Sequence, residues 1–204
     1  MTRKGKTYGP LFVLTLAALS TFAGADMIPK GWVKAGSLPQ MYDVSTLNNI
    51  DGKFAVSLRS AAGERSAPLP KPMPRDVFGT LMQTISSASY AGKRLRLTAT
   101  VQADGVLGWA GLWMRVDGAQ GKVLSFDNMK KHPIKGSADP KNYTVVLDVP
   151  RNAQSVSYGI LLDGAGAVTL WGVRVEIVGK DVPTTSGPEP EPLPTQPQNL
   201  DFSE

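Results

Sequence analysis

Between positions 26 and 180, apolar and polar residues alternate with a period of two over several short segments. No stretch of about eleven residues or more in this region repeats with the period of a helix. Turn-forming pairs such as Asp117-Gly118 and Asp163-Gly164 separate the segments. The pattern predicts about eight strands: Phe54–Ser60, Phe78–Ser87, Lys93–Asp104, Gly108–Gly118, Lys122–Met129, Tyr143–Val149, Val156–Leu162 and Val168–Val178. Short strands at this density predict an all-β fold, a sandwich of the jelly-roll type.

The first 25 residues have the three parts of a secretory signal peptide. Basic residues Arg3, Lys4 and Lys6 precede an apolar run, and Ala23-Gly24-Ala25 forms a small-residue exit. A membrane anchor is the alternative, but the strongly apolar part, Leu11–Phe22, is about a dozen residues long, which is short for a span. The sequence therefore predicts cleavage after residue 25. We expect an exported chain, periplasmic or extracellular, that keeps no membrane span.

The C-terminal residues 181–204 differ in composition from the rest of the chain. They are rich in proline, hold acidic residues and contain no lysine or arginine. Alternating Glu-Pro and Leu-Pro units favour an extended conformation and provide no apolar set that could form a core. We predict a disordered acidic tail here. One β-sandwich domain, residues 26–180, then remains, and it holds most of the basic residues behind the overall net charge of +5.

The amino-acid composition excludes several kinds of catalytic and metal-binding site. The chain has no cysteine and one histidine, His132, which excludes disulfides, thiol nucleophiles and the usual zinc sites. His132 lies in a basic turn, and no G-x-S-x-G motif is present to supply a nucleophile, so we expect an exposed loop residue. The predicted domain contains only two glutamates, Glu64 and Glu176, as glycosidase candidates besides its aspartates. We predict that the protein is not an enzyme and needs no cofactor, and keep a hydrolase as the least favoured alternative.

A structural calcium ion is the metal that the acidic residues would suit best, because calcium takes oxygen ligands in loops. No dense D-x-D-x-D-G loop occurs, so no metal site is assigned. The candidate ligands are Asp43, Asp51, Asp139 and Asp163.

Three consecutive predicted strands assign side chains to an inner and an outer face. Alternation turns Leu95, Leu112 and Phe126 towards the core and turns the intervening polar residues and tryptophans outwards. Asn128 should alternate to the inner face. If the three strands are neighbours, their outer faces merge into one surface. Its predicted ligand-binding residues are Trp109, Trp113, Arg94, Arg96, Arg115, Asp117 and Asp127.

This surface suits a flat hydroxylated ligand. An indole ring packs against the C–H groups of a sugar ring, and neighbouring arginines and aspartates bond its hydroxyls. Gly111 would leave space for the ligand between Trp109 and Trp113. In the alternative, a loop covers the two rings and Arg115 simply pairs with Asp117 or Asp127.

Four motifs carry a family resemblance: GWAGLWMRVDG, LSFDNM, HPIKGSADPKNYTVVLDVP and SYGILLDGAGAVTLWGVRVEIVG. Over about Gly31 to Thr184 the chain resembles a family of bacterial β-sandwich modules. Some of these are exported alone, and others follow helix-turn-helix transcription regulators. The last motif is also similar to the final strands of carbohydrate-binding jelly-roll modules, although Trp171-Gly172 replaces the acidic pair found there. The resemblance implies a galactose-binding-like sandwich and transfers no binding site.

Together these features predict a non-catalytic exported module that binds a polysaccharide or another glycan. A protein-interaction or structural envelope module, with the same face covered by a protein partner, is the alternative. The export signal and the absence of a recognised motif argue against nucleic acid. The basic loop with Lys130, Lys131, Lys135 and Lys141 is expected to be solvated, with an acidic polysaccharide or a phosphate group as its alternative partner.

Overall fold

The computed structural model describes residues 27–50, 52–61 and 76–186. The predicted signal peptide, Glu64, Asp51 and most of the predicted tail lie outside the described residues. Within them, short 3-10 turns occupy Pro39–Met41 and Ala119–Gly121. The strands are β1 (Val33–Gly36), β2 (Tyr42–Ile50), β3 (Lys53–Ser60), β4 (Phe78–Ser86), β5 (Arg94–Asp117), β6 (Val123–Asp127), β7 (Ile134–Asp148), β8 (Ser155–Asp163) and β9 (Ala167–Val178).

The strands form two antiparallel layers that share β5. The second half of β5 pairs with β8 and β6, and β8 continues to β4 and β1; we call this layer sheet I. The first half of β5 pairs with β7 and β9, and β9 continues to β3 and β2; we call this layer sheet II. The predicted all-β sandwich is confirmed.

Strand β5 changes phase where it passes from one sheet to the other. In its first half the odd-numbered residues, such as Leu95 and Leu97, are buried; in its second half the even-numbered residues, such as Leu112 and Met114, are buried. Between the halves the register with β7 shifts, and Gly105 adopts a φ of +56°, which favours glycine. The two strands predicted over this region are therefore one strand of 24 residues.

The core lies between the inner faces of the two sheets. Its apolar side chains come from both halves of β5 and from strands on either side. Burying each large aliphatic side chain contributes roughly 1.5–3 kcal/mol. The largest side chains that are almost fully buried are Tyr42, Leu58, Leu81, Leu95, Leu97, Leu112, Met114, Leu147, Ile160, Leu162, Val101 and Val116.

Some elements differ from the sequence prediction. Strands β1 and β2 were not predicted, and β7 begins at Ile134 instead of Tyr143. The added part of β7 contains Pro140 and pairs irregularly with β5, which hides it from a period-two pattern. The described residues include no helix long and apolar enough to cross a membrane.

The hydrogen bonds of the domain continue past the predicted boundary at residue 180. Arg94 Nη1 donates to the carbonyls of Lys180 and Val182. The N–H of Thr185 donates to the carbonyl of Val146 over 2.9 Å. The segment up to Ser186 is therefore attached to sheet II beside β7.

Candidate functional site

The residues predicted to form one ligand-binding face lie on two opposite faces of the sandwich. Trp109, Trp113 and Arg115 are on the outer face of sheet I, because Leu112 and Met114 between them are buried in the core. Arg94 and Arg96 are on the outer face of sheet II, because Leu95 and Leu97 point inwards. The prediction of a single merged face is wrong, and the phase change in β5 is the reason.

Both arginines on sheet II are bound to acidic residues on neighbouring strands. Arg94 Nε and Nη2 donate to the two carboxylate oxygens of Asp148, at 3.0 and 2.8 Å. These hydrogen bonds, together with Lys180, lower the pKa of Asp148 to about 2. Arg96 donates from Nε and Nη2 to Glu176 Oε1, at 3.0 and 2.8 Å. These pairs tie β5 to β7 and β9.

Trp113 is only 8% exposed. Its indole N–H donates to Thr80 Oγ1 over 2.8 Å, and Thr80 Oγ1 donates to the carbonyl of Ile160 over 2.7 Å. Because Thr80 is on β4, the indole must cross β8, where Gly159 stands opposite Trp113 in the register. The ring therefore lies along the sheet, bonded to it, and leaves little area for a ligand.

The predicted gap between the two tryptophans is already filled. A Cβ atom on Gly111 would lie 2.7 Å from the carbonyl oxygen of Asn128 and 3.0 Å from Met129 Cβ. The connection between β6 and β7 thus covers this part of the face, as in the alternative considered from sequence. Trp109 keeps an intermediate exposure.

The acidic residues predicted for this face are also placed differently. Asp117 is 6% exposed and accepts from Arg115 Nε over 3.0 Å, while its Oδ1 is buried with no partner among the described residues. Asp127 pairs with the inward Met114 and accepts from the N–H of Met129. Phe126, predicted to be inside, stands opposite Arg115 and is 46% exposed. The face assignments of Phe126 and Asp127 are therefore wrong.

What remains open on sheet I is an apolar depression of about 430 Å³. Asn128, predicted to face inwards, borders it together with Arg115. We call its apolar residues the sheet I patch: Phe78, Met82, Trp113, Val123, Phe126 and Leu161.

Sheet II carries a polar groove of about 790 Å³ on the outer face of four neighbouring strands. The register aligns its residues in two rows that cross β2, β3, β9 and β5 in that order. We call it the sheet II groove. The first row is Asp43, Arg59, Ala167 and Asp104, and the second is Ser45, Ser57, Thr169 and Gln102.

The groove presents hydrogen-bonding groups that the fold does not use. Within the described part of the chain, the side chains of Arg59, Gln102, Asp104 and Asp139 have no hydrogen bond or ion pair. Small residues such as Ala167 line the same groove and leave room above the strands. Gln102 is one of the intervening polar residues that alternation in Lys93–Asp104 turns outwards, whereas the sequence assigned no face to the other residues named here. Alternation of polar with buried residues in β3 would have indicated Arg59.

The structure also gives the positions of His132 and of three of the candidate calcium ligands. Asp43 and Asp139 border the sheet II groove, and Asp163 lies at the end of β8, where burial and the charge of Asp76 raise its pKa. Across the described ranges, no three or more His, Cys, Asp or Glu residues are placed to hold a metal ion. His132 is exposed, as predicted.

No protein-family model matches the chain. It is similar to the "Uncharacterized HTH-type transcriptional regulator YbfP" of Bacillus subtilis (strain 168), with 40% identity over 179 residues. The match covers 86% of this chain and 57% of that protein, so the chain spans a little over half the length of this relative.

Among solved structures, the chain is similar to the enzymatically active domain of tailspike protein 4 of bacteriophage CBA120, with 15% identity and a TM-score of 0.52. The match covers 73% of this chain and 20% of that one. The CBM22-1 xylan-binding domain from Paenibacillus barcinonensis Xyn10C has 11% identity and a TM-score of 0.47, over 74% of this chain and 88% of that one. At these identities the likeness concerns the fold alone. The chain is thus a β-sandwich module similar to part of a helix-turn-helix regulator, as the sequence resemblance predicted.

Proposed function

We propose that this domain is a non-catalytic ligand-binding module and that the sheet II groove binds a neutral polysaccharide. The observation that carries the proposal is the set of unused hydrogen-bonding side chains in the groove, above all Arg59, Gln102 and Asp104. A fold that leaves such groups together in one concavity, without partners among the described residues, offers them to a polar ligand.

The mixture of groups favours hydroxyls as the ligand chemistry. Arginine only donates, carboxylates only accept, and Gln102, Ser45 and Thr169 do both, so the groove matches groups that both donate and accept. Neighbouring strands are about 4.8 Å apart, and same-face residues on one strand are about 6.8 Å apart. The rows therefore offer contacts at regular intervals to a repeating polymer that lies across the strands.

The charge of the groove selects against polyanions. Two carboxylates that have no partner among the described residues, those of Asp104 and Asp139, border it together with one guanidinium, that of Arg59. This excess of negative charge disfavours a phosphate backbone or a polyuronate. A neutral polysaccharide is the ligand class that fits both the hydrogen bonds and the charge.

Calorimetric titration with a panel of neutral and acidic polysaccharides tests the proposal. Arg59→Ala and Asp104→Ala should each weaken the binding of a neutral member about tenfold to a hundredfold, because each removes a charged hydrogen-bonding group. The matched control is Arg96→Ala, on the same outer face, where the guanidinium already bonds Glu176. No binding by any member of the panel, or equal losses in all three variants, would refute the groove as the glycan site.

A second candidate function is protein interaction through the sheet I patch. Val123 and Phe126 expose 51% and 46% of their area beside this depression, and a cluster of exposed apolar side chains is typical of an interaction surface. If this function is correct, Phe126→Ser abolishes retention of a cellular partner. Phe54→Ser, which changes an exposed phenylalanine away from the patch, leaves retention intact.

Export is part of the proposal and rests on residues 1–25 of the sequence. Expression of the full chain in a bacterial host should yield a periplasmic or extracellular product whose N-terminal sequence begins at Asp26. A product that stays in the cytoplasm with an intact N-terminus would contradict export while leaving the groove proposal unaffected.

A further inference from the structure

A cleft of about 590 Å³ opens between the two sheets, away from the sheet II groove and the sheet I patch. One wall belongs to β4 and β8 of sheet I, and the other belongs to β3 and β9 of sheet II. The segment before β1 and the connection between β4 and β5 complete it. We call it the aromatic cleft, because it is lined by Trp32, Phe54, Tyr90, Tyr158 and Trp171.

The aromatic cleft reaches from the solvent into the apolar core. Leu81 from sheet I and Leu170 from sheet II line it and are core residues. Val56 and Ile85, which also line it, are partly buried against the core. Phe54, by contrast, is 83% exposed and marks the mouth of the cleft. Apolar lining that water can reach gains free energy when a ligand covers it.

Trp32 is fixed against the sheet I wall of the cleft. Its ring meets the ring of Tyr158 edge-on, with the two centroids 5.9 Å apart. The Tyr158 hydroxyl donates to Gln83 Oε1, and Gln83 Nε2 donates to the carbonyl of Gly31 over 3.0 Å. These contacts attach the residues before β1 to β4 and β8, so the indole of Trp32 is a built part of the wall.

The lining of the aromatic cleft carries no charge. The described residues that line it include no lysine, arginine, histidine, aspartate or glutamate. Burial and the neighbouring Tyr90 raise the pKa of Tyr158, so its hydroxyl stays protonated at neutral pH. A charged ligand would lose hydration here without gaining a counter-ion, which is strongly unfavourable. The cleft therefore favours an uncharged ligand.

Some polar groups of the lining have no partner in the described part of the chain. They include the indole N–H of Trp32 and the hydroxyl of Tyr90, neither of which makes a hydrogen bond to a described residue. Aliphatic side chains such as Val173 and Val175 surround them. A ligand with many hydroxyls would leave some of them unpaired against these side chains, whereas a ligand with one polar group would not.

We propose that the aromatic cleft binds an uncharged small molecule that has an apolar body and one hydroxyl or carbonyl group. The apolar body lies between the sheets against Trp32 and Tyr158, and the polar group bonds the Tyr90 hydroxyl. The volume of the cleft falls in the range of about 300–1,000 Å³ that is typical of small-molecule sites. This site is separate from the sheet II groove, so the two proposals can fail independently.

Titration of the full chain with pyrene, an uncharged aromatic hydrocarbon whose emission reports the polarity around it, tests the apolar part of the site. Bound pyrene should emit as it does in an apolar solvent. Phe54→Ser, at the mouth, should weaken binding about threefold to tenfold, because it removes apolar contact area. The matched control, Phe126→Ser, changes another exposed phenylalanine and should leave binding unchanged. No binding, or equal losses in the two variants, would overturn the proposal.

Two ligands that differ in charge test the preference for an uncharged molecule. 1-Decanol should displace bound pyrene. Decanoate, which is ionised at pH 8, should need at least about a tenfold higher concentration, because its carboxylate meets no cation in the cleft. If decanol fails to displace pyrene, or if decanoate displaces it equally well, the chemistry assigned to the ligand is wrong.

Tyr90→Phe tests the hydrogen bond, because it removes the hydroxyl and keeps the ring. It should weaken the binding of decanol about threefold to tenfold and leave that of pyrene, which has no hydrogen-bonding group, unchanged. Tyr143→Phe, on β7 outside the cleft, is the control and should change neither. Unchanged decanol binding in Tyr90→Phe, or an equal loss for both ligands, would contradict the bond to Tyr90.

Light scattering at the concentration of the titration tests whether a second copy of the chain occupies the cleft instead. The wild type, Phe54→Ser and Phe126→Ser should all have the same mass. A wild-type dimer that dissociates in Phe54→Ser alone would make the cleft an interface between copies and would overturn the proposal.

Discussion

The outer faces of the two sheets use similar residues in opposite ways. On sheet I, Trp113 bonds Thr80 and Arg115 bonds Asp117, so the polar groups are bound to each other and an apolar patch remains. On sheet II, one end is tied by arginine–carboxylate pairs, while the groove at the other end keeps Arg59 without a partner in the described structure. A carboxylate opposite an arginine in the register is therefore not enough to bind it, since Arg94 bonds Asp148 whereas Arg59, opposite Asp43, makes no such bond among the described residues.

The largest expected effect is on the free energy of unfolding, and it distinguishes the outer face of sheet I from that of sheet II. Trp113→Ala should lower the free energy of unfolding by about 3–5 kcal/mol, because it removes a large buried side chain and leaves a cavity. Arg59→Ala should change it by less than about 0.5 kcal/mol, as an exposed residue without partners does. Urea unfolding measures both. If Trp113→Ala leaves stability intact and abolishes glycan binding, the ligand site is on sheet I.

The end of sheet II that holds the Arg94–Asp148 pair should lose stability at acidic pH. The pKa of Asp148 in the folded protein, about 2, lies below its ordinary value of 3.8. Its stabilising contribution is therefore complete above about pH 4 and is lost as the pH falls through about 2. Allowing for solvent screening, the loss is about 1–2 kcal/mol.

Urea unfolding of the wild type and of Asp148→Asn between pH 5 and pH 2 checks this prediction. The variant should be less stable at pH 5 and should converge with the wild type near pH 2. Parallel curves over the whole range would show that the Arg94–Asp148 pair does not stabilise the fold.

The sheet I patch should contribute little to stability. Phe126→Ser changes a side chain that is nearly half exposed, so unfolding should shift by less than about 1 kcal/mol. Thermal unfolding compares this variant with Leu112→Ala on the inner face of the same sheet, where we expect a loss of about 2–5 kcal/mol. A large loss in Phe126→Ser would show that the patch is part of the core.

The smallest expected effect is optical. None of the four tryptophans borders the sheet II groove, so glycan binding there should leave tryptophan emission unchanged while calorimetry records heat. A blue shift during the titration would place the ligand beside Trp109 or Trp113 and would favour sheet I as the binding face.

Local alternation predicted the inner faces of both halves of β5 correctly, since Leu95 and Leu112 are both buried. It failed where two local patterns had to be joined. The phase change near Gly105 places Arg94 and Trp113 on opposite sides of the sandwich. The alternation of apolar and polar residues on either side of Gly105 does not reveal this change. Five residues in β6 were too few to show that Phe126 faces outwards.

The sheet II groove could not be predicted from the sequence, for a different reason. Its first row joins Asp43, Arg59 and Asp104, which lie far apart in the sequence, through β9. Pairing between strands that are distant along the chain depends on the packing of the whole sandwich. Each strand could be predicted alone, whereas the surface they form together could not.

The sharing of β5 also bears on how the chain emerges from a ribosome. Among the described strands, β4 is linked to β5 through β8, and β3 is linked to β5 through β9. Neither sheet can close until its later strand has been synthesised, so the closing contacts are long-range and form late. Strand β9 then inserts between β3 and β5 and completes sheet II. A nascent chain that stops before Ala167 would leave the edges of β3 and β5 unpaired, and it would be prone to aggregate.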